Sequence, residues 1–399
     1  MNEKPRLNAS DPVSNLGRRR FLWGSIAGAA GTAIAVVGGK LAAESRGDSP
    51  RDAEGVAHVP AHGRYQAGID RPETPQSHTL FTVIDIGGIT VAAEVESVIG
   101  ALGRAIAALA DPSRTPNSNM PEGPRDITAT VGIGPRLVSL LNPSLPGATP
   151  LPDFVGDEGM VPLSNGGDLV LQLCASDGGA LDSAQRELMR VVGGTLRWQQ
   201  RGFRGAGTGS IVRNPLGFHD GIIVPTGEAE LFENVWIRDG PAAHGTIMVV
   251  RRIQLDVDAF ESLSILEQEQ VIGREKLSGA PLSGGVREDE ADLLAKTPDG
   301  EYLIPARSHV RAAHPSFTGS GLMLRRGYAY SNSDASGVSQ GLLFICYQND
   351  PSVFIRTQQR LDETDALAAF SQVTASGMFL VLPGASTGSA LGEGLRATG

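Results

Sequence analysis

Three separated segments carry side chains able to move a proton, bind a metal or hold a fixed charge. Gly217-Phe218-His219-Asp220-Gly221 lies among Asn214, Pro215 and Pro225, so Asp220 rides on a glycine-flanked bend where a carboxylate can face a cavity. Alone, such an aspartate reads first as a turn former. Farther along, His309-Val310-Arg311-Ala312-Ala313-His314-Pro315 offers two imidazoles, and Leu324-Arg325-Arg326-Gly327-Tyr328 offers two adjacent guanidinium groups. A carboxylate shuttles protons, a neutral imidazole ligates a transition metal, and an arginine is a permanent cation.

Other patterns lack the surroundings their chemistry needs. Gly337-Val338-Ser339-Gln340-Gly341 matches G-x-S-x-G, but a strand rather than a helix is expected after Ser339, so the nucleophile elbow is not formed. Gly205-Ala206-Gly207-Thr208-Gly209 misses the dinucleotide spacing and reads as a loop. His309 and His314 are not at the i, i+4 spacing of H-E-x-x-H, which sets aside a zinc hydrolase.

The elements that must position these residues follow from periodicity. Residues 79–86, 168–174, 246–253 and 341–347 read as buried strands, and Val95 to Leu109 recur apolar at helical spacing. Helices are expected over 182–198, 256–269 and 362–370. Strands do not alternate regularly with crossover helices, so two similar α+β halves with antiparallel sheets fit better than one parallel sheet. The expected division is a signal at 1–43, a linker or extended arm at 44–75, an N-terminal domain at 76–212 and a C-terminal domain at 213–399.

Composition narrows the function classes. The 399-residue chain is 41% hydrophobic and 20% charged, which excludes wholesale disorder and a polytopic membrane protein. Arg18-Arg19-Arg20-Phe21-Leu22-Trp23 precedes an uncharged Ala/Gly-rich run from Gly24 to Gly39, the pattern of a twin-arginine export signal. That run is too short and too glycine-rich for a membrane span. Removing residues 1–43 takes six Lys/Arg from 34 and two Asp/Glu from 44, leaving an excess of fourteen acidic groups. So acidic a surface repels phosphate backbones and anionic lipid, which argues against nucleic-acid or membrane-surface binding. Cys174 and Cys346 each sit in an apolar run and are expected as buried free thiols.

With those three segments in this order, the chain resembles the dye-decolorizing peroxidases, a haem enzyme family marked by G-x-x-D-G, H-[VI]-R and L-R-R-G-Y segments. The resemblance runs from Gln66-Ala67-Gly68-Ile69 to Phe379-Leu380-Val381-Leu382-Pro383-Gly384 and includes Trp236-Ile237-Arg238-Asp239-Gly240-Pro241, Ile272-Gly273-Arg274 and Ser278-Gly279-Ala280-Pro281. It implies two ferredoxin-like domains with haem b in the C-terminal one, and transport through the twin-arginine translocase to the periplasm, cell envelope or exterior. Under this resemblance His309 is the metal ligand, with His314 its rival. Asp220 is the proton-transfer group, and Arg325 the cation beside it, with Arg326 the adjacent alternative. Asp365 is expected behind the imidazole, with Asp362 and Glu363 close competitors, and Phe344 is expected to line the haem pocket. Tyr328, Tyr330, Tyr347, Trp198 and Trp236 are relay candidates that core packing explains equally well. The implied activity reduces H2O2 and oxidises bulky aromatic or phenolic donors. The alternatives are an iron-uptake component that strips iron from haem and a non-catalytic haem carrier. The oligomeric state stays open.

Overall fold

The computed structural model describes residues 57–116, 120–334 and 337–396, and the expected export signal lies outside them. The N-terminal half runs β1 (His78–Asp85), α1 (Ala92–Leu109), β2 (Thr128–Ile133), α2 (Pro135–Leu141), β3 (Leu169–Ala175), α3 (Leu181–Val192) and β4 (Thr195–Phe203). After it come β5 (Val212–Arg213), β6 (His219–Asp220), α4 (Gly227–Asn234), β7 (Thr246–Leu255), α5 (Val257–Glu261) and α6 (Ile265–Ile272). The chain then forms α7 (His309–Ala312), α8 (Pro315–Thr318), β8 (Leu324–Arg325), β9 (Tyr328–Asp334), β10 (Gly337–Gln348), α9 (Pro351–Thr364) and β11 (Ser371–Val381).

Each half builds an antiparallel sheet of the same order. The first four strands lie as β2-β3-β1-β4. The later ones lie as β9-β10-β7-β11, again with the first strand of the unit inside and the last at the edge. This is the ferredoxin-like α+β arrangement that was expected.

What the sequence did not announce is how the two sheets meet. β11 pairs with β2 through Leu380↔Ile133 and Val381↔Gly132, and β4 pairs with β9 through Phe203↔Ala329. The two sheets thereby close into one barrel, which removes the exposed edges that an open sheet leaves unpaired. Along β7, Met248 and Val250 join an interior cluster with Phe81, Val170, Ile345 and Phe379. Their neighbours Ile247 and Val249 belong instead to a cluster that includes residues of α1, α2, α3 and α9. Both faces of these strands are covered, which is why they read as continuous apolar runs.

Three expected helices differ in the structure. The helix expected over 182–198 ends at Val192, because Gly193 takes a left-handed φ of 67°, and Trp198 lies in β4. The one expected over 256–269 is two helices, α6 being restarted by Ser264, whose hydroxyl accepts from Glu267 N while the Glu267 carboxylate accepts from Ser264 N. The helix expected over 362–370 begins earlier, where the Asp350 carboxylate caps Ser352 N at 2.7 Å with Pro351 in the first turn. It stops before Asp365, and a 3-10 turn follows over Ala366–Phe370.

The described part of the expected arm crosses one seam of the barrel. Gln66 is 5% exposed, its amide nitrogen donates to Val131 O and Leu382 O at 2.9 Å each, and its carbonyl accepts from Val131 N at 2.8 Å.

Candidate active site

Asp220 enters the site on the short hairpin of β5 and β6, where Val212 pairs with Asp220 and Arg213 with His219. The glycine that follows is required twice over. Gly221 has φ of 80°, and a Cβ there would lie 2.3 Å from Ser210 O. Its N–H donates to Asp220 Oδ1 at 2.6 Å, which fixes the carboxylate.

Arg325 and Arg326 are separated by strand alternation. Arg325 pairs with Cys346 across β8 and β10, and its guanidinium donates to Ile223 O at 3.0 Å and to Asp220 Oδ1 at 3.4 Å. Arg326 points the other way, is 3% exposed and donates to Pro72 O at 2.9 Å. Of the two, Arg325 stands beside the carboxylate.

His309 opens α7, and its Nδ1 lies 2.7 Å from Asp365 Oδ2. Asp365 is 8% exposed and is held in turn by Leu367 N, which donates to Oδ1 at 2.9 Å. The backbone ties the two segments together where Ala366 N donates to Arg307 O at 2.8 Å. The competing acids are engaged elsewhere: Asp362 accepts from Val155 N and Gln358, and Glu363 pairs with Arg360. His314 has both ring nitrogens occupied, by Glu290 at 2.8 Å and by Ser316 N at 3.1 Å. His309 Nε2 has no hydrogen-bond partner among the described residues and is free to ligate. Arg311 of the same segment turns into the fold and donates to Ile304 O and Leu293 O, anchoring the long loop before α7.

Asp220, Arg325 and His309 lie close enough to influence one another electrostatically. Burial pushes the Asp220 carboxyl upward, but Arg325, the Gly221 N–H, His309 and Arg204 together hold it below the ordinary aspartate value. Burial pushes His309 downward, and the Asp365 charge and hydrogen bond, joined by Asp220, outweigh that and raise it above an ordinary histidine. Burial is the largest influence on both groups, yet their side chains keep 32% and 39% of their surface accessible. Phe344 is two residues from Cys346 on β10 and so shares its sheet face with Arg325, and it is half-buried against Phe354 at 6.3 Å.

Family models decide what this constellation belongs to: residues 66–204 match the Dyp-type peroxidase N-terminal model and residues 212–386 the C-terminal one. The chain belongs to the Dyp-type peroxidase family. Among relatives of this Dyp-type peroxidase, the dye-decolorizing peroxidase of Thermobifida fusca is 36% identical over 68% of each chain. A deferrochelatase of Yersinia pestis is 31% identical over 94% of this chain and 93% of its own. In solved structures, DtpA from Streptomyces lividans superposes with TM-score 0.79 at 33% identity, covering 87% of this chain and all of its own. A DyP-type peroxidase from Cellulomonas bogoriensis gives 0.77 at 34%, covering 86% and 98%.

Several supporting parts escaped the sequence reading. The Ile223 carbonyl that holds Arg325 is a backbone atom, which no motif displays. Ser339 lies on β10, with its hydroxyl 3.5 Å from Gln254, and Cys174 and Cys346 are buried and free. The relay candidates Tyr328, Tyr330, Tyr347, Trp198 and Trp236 are all buried. Among the described residues no group of three or more His, Cys, Asp or Glu side chains is placed to hold a metal ion.

Proposed function

We propose that this Dyp-type peroxidase binds haem b through His309 and uses Asp220 and Arg325 to reduce H2O2 while oxidising bulky aromatic or phenolic donors. One observation carries the reading. A carboxylate and a guanidinium 3.4 Å apart act electrostatically on an imidazole whose far side is braced by a buried aspartate. The donor set fits a porphyrin iron: one free imidazole nitrogen, a carboxylate behind it that strengthens it as a ligand, and a half-buried phenylalanine on the same sheet face as the arginine.

Haem b, when bound, supplies the iron at which a peroxide O–O bond is cleaved. Asp365 accepts the Nδ1 proton of His309 in a hydrogen bond and so keeps Nε2 as the ligating atom. Asp220 takes a proton from the nearer oxygen of H2O2 and delivers it to the farther one, which departs as water. Arg325 carries a fixed positive charge that stabilises the negative charge developing on that oxygen. Gly221 N–H holds one carboxylate oxygen of Asp220, leaving the other to handle the proton.

Relatives named deferrochelatase make removal of iron from haem the competing reading. One equivalent of H2O2 added to the purified haem protein is expected to shift the Soret band rapidly, with donor addition restoring it, and Arg325→Ala to slow that shift sharply. Release of fluorescent metal-free porphyrin, with an unresponsive Soret band, would replace the proposal with iron removal. The proposal also places the mature protein outside the cytoplasm. Lysine at Arg18, Arg19 and Arg20 together should leave it inside, as read by cell fractionation. Among the described residues no helix is long and apolar enough to cross a membrane.

A further inference from the structure

We infer that Arg204, the last residue of the segment matched as the N-terminal domain, is a positioning residue that fixes Asp220 and Arg325 relative to one another. The inference rests on the proposed roles of those two residues. Arg204 follows β4, and its backbone N–H donates to Ser77 O at 2.8 Å, which anchors it to the N-terminal half. Its guanidinium then spans two further segments, the connection between β4 and β5 and the stretch between β8 and β9. Nη2 donates to Ser210 O at 2.8 Å, and Nη1 donates to Gly327 O at 3.2 Å.

Each arm leads to one member of the pair. The Ser210 hydroxyl donates to Gly221 O at 2.8 Å, and Gly221 N–H donates to Asp220 Oδ1 at 2.6 Å. Ser210 O also lies where a Cβ on residue 221 would stand, so the carbonyl held by Arg204 packs directly on the backbone that orients Asp220. On the other side, Gly327 is two residues beyond Arg325 in the same extended segment. The guanidinium carbon also lies 5.6 Å from the centre of the Tyr328 ring, a cation–π distance. In the backbone ladder β4 meets β9 at Phe203↔Ala329, the Gln200 and Asn332 amides exchange hydrogen bonds of 3.0 and 3.1 Å across the same seam, and the Arg204 fork extends that junction toward the site.

Arginine suits the place because a planar fork with several donors can satisfy two carbonyls in different segments without losing its charge. That charge also reaches Asp220, whose other charged neighbours are Arg325 and His309. Nothing in the sequence marks the role, since Arg204 lies outside all three motifs and belongs to the other half of the molecule.

The test uses the full mature chain, with haem and without, in four forms: wild type, Arg204→Met, Ser210→Ala and Arg136→Met. Arg136 is a control arginine that bonds Asp168, Ile86 O and Ile89 O far along the sequence from the site segments. Amide hydrogen exchange at Gly221 should quicken roughly tenfold in Arg204→Met and in Ser210→Ala, and stay at the wild-type rate in Arg136→Met. The acid limb of kcat/KM for H2O2 should move to higher pH in Arg204→Met and stay in place in Arg136→Met, since the Arg204 charge is one of those that hold the Asp220 carboxyl below its ordinary value. Unchanged Gly221 exchange in Ser210→Ala overturns the inference even if Arg204→Met does not fold, and so does an equal response in Arg136→Met. Faster exchange with an unmoved acid limb supports the clamp and tells against Asp220 as the base, so the two readings fail separately.

Discussion

Asp220 is kept ionised by its neighbours, and the sign of that effect sets the pH behaviour. Its carboxyl titrates below the ordinary value, so it remains a base in acid where a histidine would already be protonated. Activity should therefore persist on the acid side and fall only as the pH drops through the lowered value. Arg325→Leu removes the largest of the lowering influences, so the acid limb of kcat/KM should move to higher pH in addition to the loss of rate. Asp220→Asn should cut kcat/KM for H2O2 by about 10²–10⁴-fold with haem content unchanged, as read by stopped-flow absorbance. Asp365→Asn leaves His309 in place but takes away the charge behind it, and haem affinity should fall about 10–100-fold, measured by transfer to apomyoglobin. The order Asp, His, Arg was legible because each residue sits in a short motif. The choice of Asp365 over Asp362 and Glu363 was not, because three acids so close together differ only in where the backbone aims them.

At the scale of elements, α9 does most to place the imidazole's partner. Asp350 caps its start and Asp365 ends it, so the helix length sets where the second carboxylate emerges. Asp350→Ala should cost about 1 kcal/mol of stability, visible as a lower urea midpoint with an unchanged slope. Asp365 was expected inside a helix because the apolar spacing of 362–370 continues past it, yet its side chain caps Leu367 N and starts a new turn. Ser264 misleads the same way in α6, since helical periodicity does not register a break that keeps the same face buried. Gly341 is needed for a different reason: a Cβ there would stand 1.9 Å from Ile253 O, which lets β10 and β7 approach. Substitution by alanine should disturb the pairing that carries Phe344 and Cys346.

Across the whole molecule, closure of two four-stranded sheets into one barrel joins halves that the sequence presents as separate. Heating the full chain should give a single cooperative transition rather than two, checked by calorimetry, because the interior cluster draws on strands of both halves. Gln66→Ala would remove three buried hydrogen bonds that tie the arm to Val131 of β2 and to Leu382 just beyond β11, and leave those backbone groups without their side-chain partner. The expected loss is about 2–3 kcal/mol by urea denaturation, with the Asp220 site unaltered.

The sequence by itself determined the α+β class, the main buried strands and the chemical cast of the site, since those depend on residue type, period and local turn geometry. Tertiary structure decided which arginine faces the carboxylate, which acid braces His309 and how the two sheets share an interior. Those choices turn on side-chain direction and on contacts between residues far apart in the chain, 56 positions for His309 with Asp365, 105 for Arg325 with Asp220 and 316 for Gln66 with Leu382. No local pattern encodes them, because each is settled only when the barrel closes and leaves one arrangement in which the buried polar groups are paired.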